Sequence, residues 1–152
     1  MLRRVAAPEP KVPDYRPQLK TMAVLETSLG IRLVPRSQDP TDGLILRTVG
    51  SPDSCSDETL VQLGPVASLI VDAELARTKV SDHGLPILAK SFPNLRFLDL
   101  SYTAVTSAGM KEIARLDKLE SLNLTATKVA AKDVAELRSK PNLKKLYLFE
   151  TH

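Results

Sequence analysis

Apolar residues along this chain keep two rhythms, one of two residues and one of three to four, and both return at a fixed long interval. Leu95, Leu119 and Leu143 are spaced by 24, as are Leu98, Leu122 and Leu146, and again Leu100, Leu124 and Leu148. Thr103, Thr127 and Thr151 take the same step, and Val105 and Val129 form a fifth column. Each unit reads L-x-x-L-x-L-x-x-T-x-V. An earlier copy lies 25 residues upstream, with Ile70, Ala73, Leu75, Thr78 and Val80 in the same columns and the extra residue near Ser91-Phe92. A half copy, Ser56-Asp57-x-x-Leu60-x-x-Leu63, precedes Ser81-Asp82-x-x-Leu85-x-x-Leu88, also by 25. The alternation Leu98-x-Leu100 predicts a strand, whereas Met110, Ile113 and Leu116 are spaced for one face of a helix. Ser81 and Thr106 are predicted N-caps. One unit cannot bury its leucine face alone, so neighbouring units must stack, with their strands parallel and their helices on the far side.

This pattern resembles the leucine-rich-repeat family, whose period is roughly 20–29 residues. The match covers residues 54–152, read as one half repeat and then about three and a half repeats. Thr stands where the family usually has Asn, and a Thr hydroxyl offers one donor where Asn offers two. The Thr form, with Ser/Thr-Asp and a Gly before the helix, looks like a bacterial subgroup. Val80-Ser81-Asp82-His83-Gly84-Leu85 carries it, Val105-Thr106-Ser107-Ala108-Gly109-Met110 keeps most of it, and Val129-Ala130-Ala131-Lys132-Asp133-Val134 has lost the cap and the Gly. The resemblance implies an α/β fold: a short right-handed leucine-rich-repeat solenoid, strands on the concave face, helices on the convex face, and an N-terminal α/β cap. It implies a non-catalytic protein-interaction or scaffolding module. Repeats of this kind also resemble those attached to planctomycete-type c-type cytochrome domains, and Leu44-Ile45-Leu46-Arg47 to Cys55-Ser56-Asp57-Glu58 looks similar to the segment joining such domains to their repeats. The alternative function is therefore an accessory repeat tail of a larger exported c-type cytochrome-like redox protein, itself without haem.

Upstream of the repeats the pattern changes. Residues 1–16 hold Pro8, Pro10 and Pro13 and few apolar residues, and are expected to form a flexible arm. Residues 17–53 are expected to cap the first repeat. Pro17 suits a first helical turn and Gly30 the position just past a helix end. Leu19, Met22, Ala23 and Leu29 supply its apolar side, and Ile31–Val34 and Leu44–Val49 read as strands around the 35–43 loop. At the other end no helix pattern follows Leu148. The edge strand there is open to self-association or belongs to a longer protein.

The charge is local. Five basic and two acidic residues in the first twenty supply the +3 of the whole chain, and the remainder is balanced at 16 of each sign. A nucleic-acid binder concentrates basic charge on its folded face, so nucleic acid is not expected as a partner. No apolar run approaches the roughly 18 residues that cross a bilayer. The expected compartment is the cytoplasm for a complete chain, and the periplasm or outside for a fragment of a cytochrome-like protein.

Candidate chemistry is sparse. With one cysteine, an intrachain disulfide or a C-x-x-C-H haem site cannot form. Cys55 shares the Val80 column and is expected buried and inert; His83 is expected at an outward helix start. No cofactor or metal is predicted. Residues between the strand leucines should face outward in three columns: Asp72, Phe97, Ser121 and Lys145; Glu74, Asp99, Asn123 and Tyr147; Ala76, Ser101, Thr125 and Phe149. Of these, Asp72, Glu74, Phe97, Asp99, Asn123, Lys145, Tyr147 and Phe149 are the candidate protein-binding residues. The carboxylates of Asp72, Glu74 and Asp99 are expected to lie on an open, solvated surface, poorly placed for a raised pKa.

Overall fold

The computed structural model describes residues 8–151. The first seven residues of the expected arm, and His152, lie outside them. A 3-10 turn at Arg16–Gln18 leads into helix α1 (Leu19–Leu29), which Gly30 ends in the left-handed conformation at φ 64°, its N–H donating to the Glu26 carbonyl. There follow β1 (Ile31–Pro35), β2 (Leu44–Thr48), α2 (Asp57–Gln62), β3 (Ile70–Glu74), α3 (Leu85–Ser91), β4 (Phe97–Asp99), α4 (Met110–Ile113), β5 (Ser121–Asn123) and β6 (Lys145–Tyr147). The six strands form one sheet in chain order, with β1 antiparallel to β2 and every later pair parallel.

The register is the sequence period made visible. Leu98 lies beside Leu122, and Leu122 beside Leu146, while Ala73 lies beside Leu98. Beyond the strands, the Leu75, Leu100 and Leu124 N–H groups each donate at 2.9 Å to a carbonyl of the following unit: Asp99, Asn123 and Tyr147. The column leucines and the helix residues Leu85, Leu88, Met110, Ile113, Val134 and Leu137 share one aliphatic core. A parallel sheet in this register, with helices in its crossovers, fits the leucine-rich-repeat type of fold.

Two polar devices hold the crossovers. The first is the Thr column. Thr78, Thr103 and Thr127 are buried, and each hydroxyl donates to the carbonyl three residues back, at 2.7, 2.6 and 2.7 Å. Each hydroxyl thus ties the turn of its own repeat. One residue before each Thr, Arg77, Tyr102 and Ala126 take positive φ, and Glu150 precedes Thr151 in the same way. The second device runs between repeats. Asp57 accepts from the Ser81 N–H at 2.8 Å and the Ser81 hydroxyl at 2.6 Å. One repeat on, Asp82 accepts from the Thr106 N–H at 2.8 Å and its hydroxyl at 2.5 Å. Ser81 and Thr106 in turn accept from the N–H groups of His83 and Ala108, as N-caps of their turns. One repeat further, Ser107 replaces the Asp, and its Oγ accepts from Ala130 N–H at 2.9 Å.

The two glycines of the motif answer to those carboxylates. A Cβ at Gly84 would overlap Asp57 Oδ1, and one at Gly109 would stand 2.7 Å from Asp82 Oδ1 and overlap Leu85 Cδ1. Where Ser107 has replaced the carboxylate, a side chain fits, and Asp133 occupies the glycine column. The crossover there is a 3-10 helix, Ala131–Ser139, without a side-chain cap.

One expectation needs correction. Residues 8–15 do not stand away from the fold as an arm. Val12 is buried and its N–H donates to the Thr41 carbonyl at 2.9 Å, while Lys11 pairs with both Asp39 and Asp42 of the 36–43 loop. Glu9 reaches Arg36 and Arg96 at 3.5 and 3.4 Å. Three prolines made this stretch look solvated; a single buried valine and charge pairing to a distant loop hold it in place.

Candidate functional site

The predicted outward columns exist on the face of the sheet away from the helices. Asp72, Phe97, Ser121 and Lys145 are consecutive register partners, and so are Glu74, Asp99, Asn123 and Tyr147. On β2 the same rows continue as Ile45 and Arg47. Exposure rises along the sheet. Asp72, Glu74, Phe97, Asp99 and Asn123 are half-buried, Lys145 is exposed, and Tyr147 and Phe149 are 50% and 71% exposed. The third column is less open than expected, since Ser101 is buried and its hydroxyl donates to Asp99 at 2.6 Å.

Most polar side chains here are already engaged. Arg47 Nε donates to Glu74 Oε2 at 2.8 Å across β2 and β3. Asp99 also accepts from the Ser101 N–H, and Asn123 Oδ1 from the Thr125 N–H at 3.0 Å. Arg96 is buried beside Phe97. Its guanidinium forks onto both Glu120 oxygens at 3.0 and 3.1 Å, a bidentate pairing that fixes its plane. Arg36 and Arg96 lie 5.1 and 5.2 Å from the Phe97 ring centroid. These arginines and Glu120 were missed by the sequence reading, though one signal was available: Glu120 follows Arg96 by a single repeat step. Beyond them Phe97, Glu120, Ser121, Lys144, Lys145 and Tyr147 line a shallow cavity of about 270 Å³.

Asp72 departs from the expectation for an open carboxylate. Burial beside Phe97 and Ile45 raises its pKa to about 6, the charge on Glu74 adds to this, and Arg36 and Arg47 oppose it. The folded state therefore keeps the Asp72 proton to higher pH than the unfolded chain, whose carboxyl titrates near 4. The associated stability is full below about pH 4 and is lost as pH rises through about 6. Asp72→Asn should remove that slope and raise stability at pH 7 by on the order of 1–2 kcal/mol, reduced for partial solvent screening. Urea unfolding of both proteins between pH 4 and 7 reads it, and parallel curves would refute it.

Cys55 is fully buried, and burial pushes its thiol up to about 11, the character of an inert core residue. His83 is exposed, as expected. Among the described residues no three His, Cys, Asp or Glu side chains gather to hold a metal, and no helix is long and apolar enough to cross a membrane.

No family model matches this chain, and no curated protein matches it. Among solved structures, it is similar to an internalin from Listeria monocytogenes, at 20% identity over 59% of this chain and 32% of that one, with a TM-score of 0.40. It is also similar to the leucine-rich-repeat ectodomain of a receptor kinase from Arabidopsis thaliana, at 17% identity over 88% of this chain and 96% of that one, with a TM-score of 0.41. This chain thus spans about a third of the internalin chain.

Proposed function

We propose that this chain is a non-catalytic protein-binding module: a short right-handed leucine-rich-repeat solenoid over residues 54–152, capped at its N-terminal end by residues 17–53, that holds a protein partner on the strand face. The observation that carries this reading is the gradient along that face. Its first half is half-buried and internally paired, through Arg47–Glu74 and Arg96–Glu120. Its second half offers Lys145, Tyr147 and Phe149 to solvent. Exposed aromatics beside a basic side chain are the residue types that anchor interfaces, because they bury much area for little lost rotamer freedom. Asp72, Glu74, Phe97, Asp99 and Asn123 form the flank that sets orientation.

The test is crosslinking of the intact chain, with a photoreactive residue at position 145, in extracts of its native source. A specific protein should be captured, and Tyr147→Ala or Phe149→Ala should weaken its binding roughly tenfold or more, as expected of anchor residues. No specific partner, or a partner indifferent to both substitutions, would overturn the reading. The cytochrome-tail alternative rests on sequence resemblance, and no feature of the fold favours it.

A further inference from the structure

Glu9 brings the 8–15 stretch onto the strand face. Its Oε2 accepts from Arg36 Nη1 at 3.5 Å and from Arg96 Nη1 at 3.4 Å, so one oxygen bridges two guanidiniums. Both guanidiniums lie against the Phe97 ring. The clamp is built from beneath. Arg96 is buried, and Glu120 fixes its Nε and Nη2, which leaves Nη1 aimed at Glu9 alone among the described residues. Glu120 also cancels one of the two positive charges. The carboxylate that fills the clamp is held less firmly. The Glu9 side chain is 59% exposed, and both its contacts exceed the roughly 2.7–2.9 Å usual for a charged hydrogen bond. Exposed pairs of this kind add little stability. Val12 and the pairs of Lys11 with Asp39 and Asp42 anchor the stretch independently, so Glu9 can leave the clamp while its neighbours stay in place. Pro8 and Pro10 flank Glu9, and a residue before proline is held to extended backbone. The occupant of the clamp is thus an acidic side chain on an extended chain that runs on in both directions.

We propose that the Arg36–Arg96 clamp is the subsite of the strand face that takes an aspartate or glutamate side chain of the protein partner, presented from an extended acidic segment, and that Glu9 is its stand-in in the free protein. The inference rests on the protein-binding reading of this face and gives the partner its chemistry. The incoming carboxylate takes over both Nη1 donors, and Glu9 turns into solvent. Beyond Phe97 the segment meets Lys144 and Lys145 at the rim of the shallow cavity, where a second acidic residue finds a cation in turn. Binding of this kind weakens as salt rises.

Fluorescence anisotropy of a labelled penta-glutamate peptide, blocked at both ends, tests this on the full chain at low salt. The peptide should bind, and a penta-glutamine peptide should not. Glu9→Gln removes the competing carboxylate and should tighten binding about three- to fivefold, as the loss of an exposed ion pair allows. Arg36→Gln should weaken it about tenfold. Glu136→Gln and Arg77→Gln remove the same charges from exposed residues outside the clamp, and each should change the affinity by less than about twofold. Circular dichroism checks that every variant is folded. No binding to the unaltered chain or to the Glu9→Gln variant overturns the proposal. Affinities that follow net charge alone, with Glu136→Gln matching Glu9→Gln, overturn it as well. A partner captured through position 145, together with a peptide that fails here, would sink this inference and spare the protein-binding reading. A peptide that binds here with no partner captured would leave the carboxylate clamp standing and the protein partner not.

Discussion

Leu122→Ala should lower the unfolding free energy by about 3–5 kcal/mol, the upper part of the range for a leucine removed from a rigid core. Leu122 is fully buried at the centre of β5, with Leu98 beside it on one strand and Leu146 on the other. Neither strand can close in on the gap, because both are held by ladder hydrogen bonds on either side of the site. The lost contacts and the residual cavity therefore add. Leu146→Ala makes the same chemical change one repeat later, where the side chain is only partly covered, and should cost about 1–2 kcal/mol, because less transfer free energy is at stake and solvent fills the space. Urea unfolding of the two variants, each fitted with its own slope, measures the difference. Equal losses would mean that the leucine column is not one core that thins toward β6.

That column is also the part of the molecule most legible in the sequence. A repeat fixes which residues stack because each unit can bury its apolar face only against the same face of its neighbour. The spacing of Leu98, Leu122 and Leu146 was in effect a contact map, and the outward rows that begin at Asp72 and Glu74 followed from strand parity. What could not be read was set by contacts without a period. Residues 8–15 pack through Val12 and the Lys11 pairs to Asp39 and Asp42, all reaching a loop some thirty positions away. Asp72 titrates high because burial beside Phe97 and Ile45, with the charge on Glu74, outweighs the opposing arginines, and an outward position in a strand says nothing of that. The Asp57–Ser81 and Asp82–Thr106 pairs lie between these cases. Their spacing was visible as a Ser/Thr-Asp motif, but its reason, a carboxylate reaching forward one repeat, needed the stacked geometry.

Asp82→Ala should cost about 2–4 kcal/mol, since it strips a partly buried N–H and hydroxyl of Thr106 of a charged acceptor at once. Gly109→Ala should cost about 1–3 kcal/mol, because its methyl must displace Leu85 and that same carboxylate. Made together, the two changes should cost less than their sum by about 1 kcal/mol, because without the carboxylate part of the room the methyl needs is already free. Thermal and urea unfolding of the four proteins of this cycle give the coupling, and strict additivity would show that glycine is required there by Leu85 alone. The chain has made the corresponding pair of changes one repeat on, where Ser107 stands in the carboxylate column and Asp133 in the glycine column. There the single Ser107 hydroxyl still holds the Ala130 N–H, and the crossover relaxes into an uncapped 3-10 helix. The carboxylate and the glycine are thus one feature carried at two positions, and a repeat that gives up the first no longer needs the second.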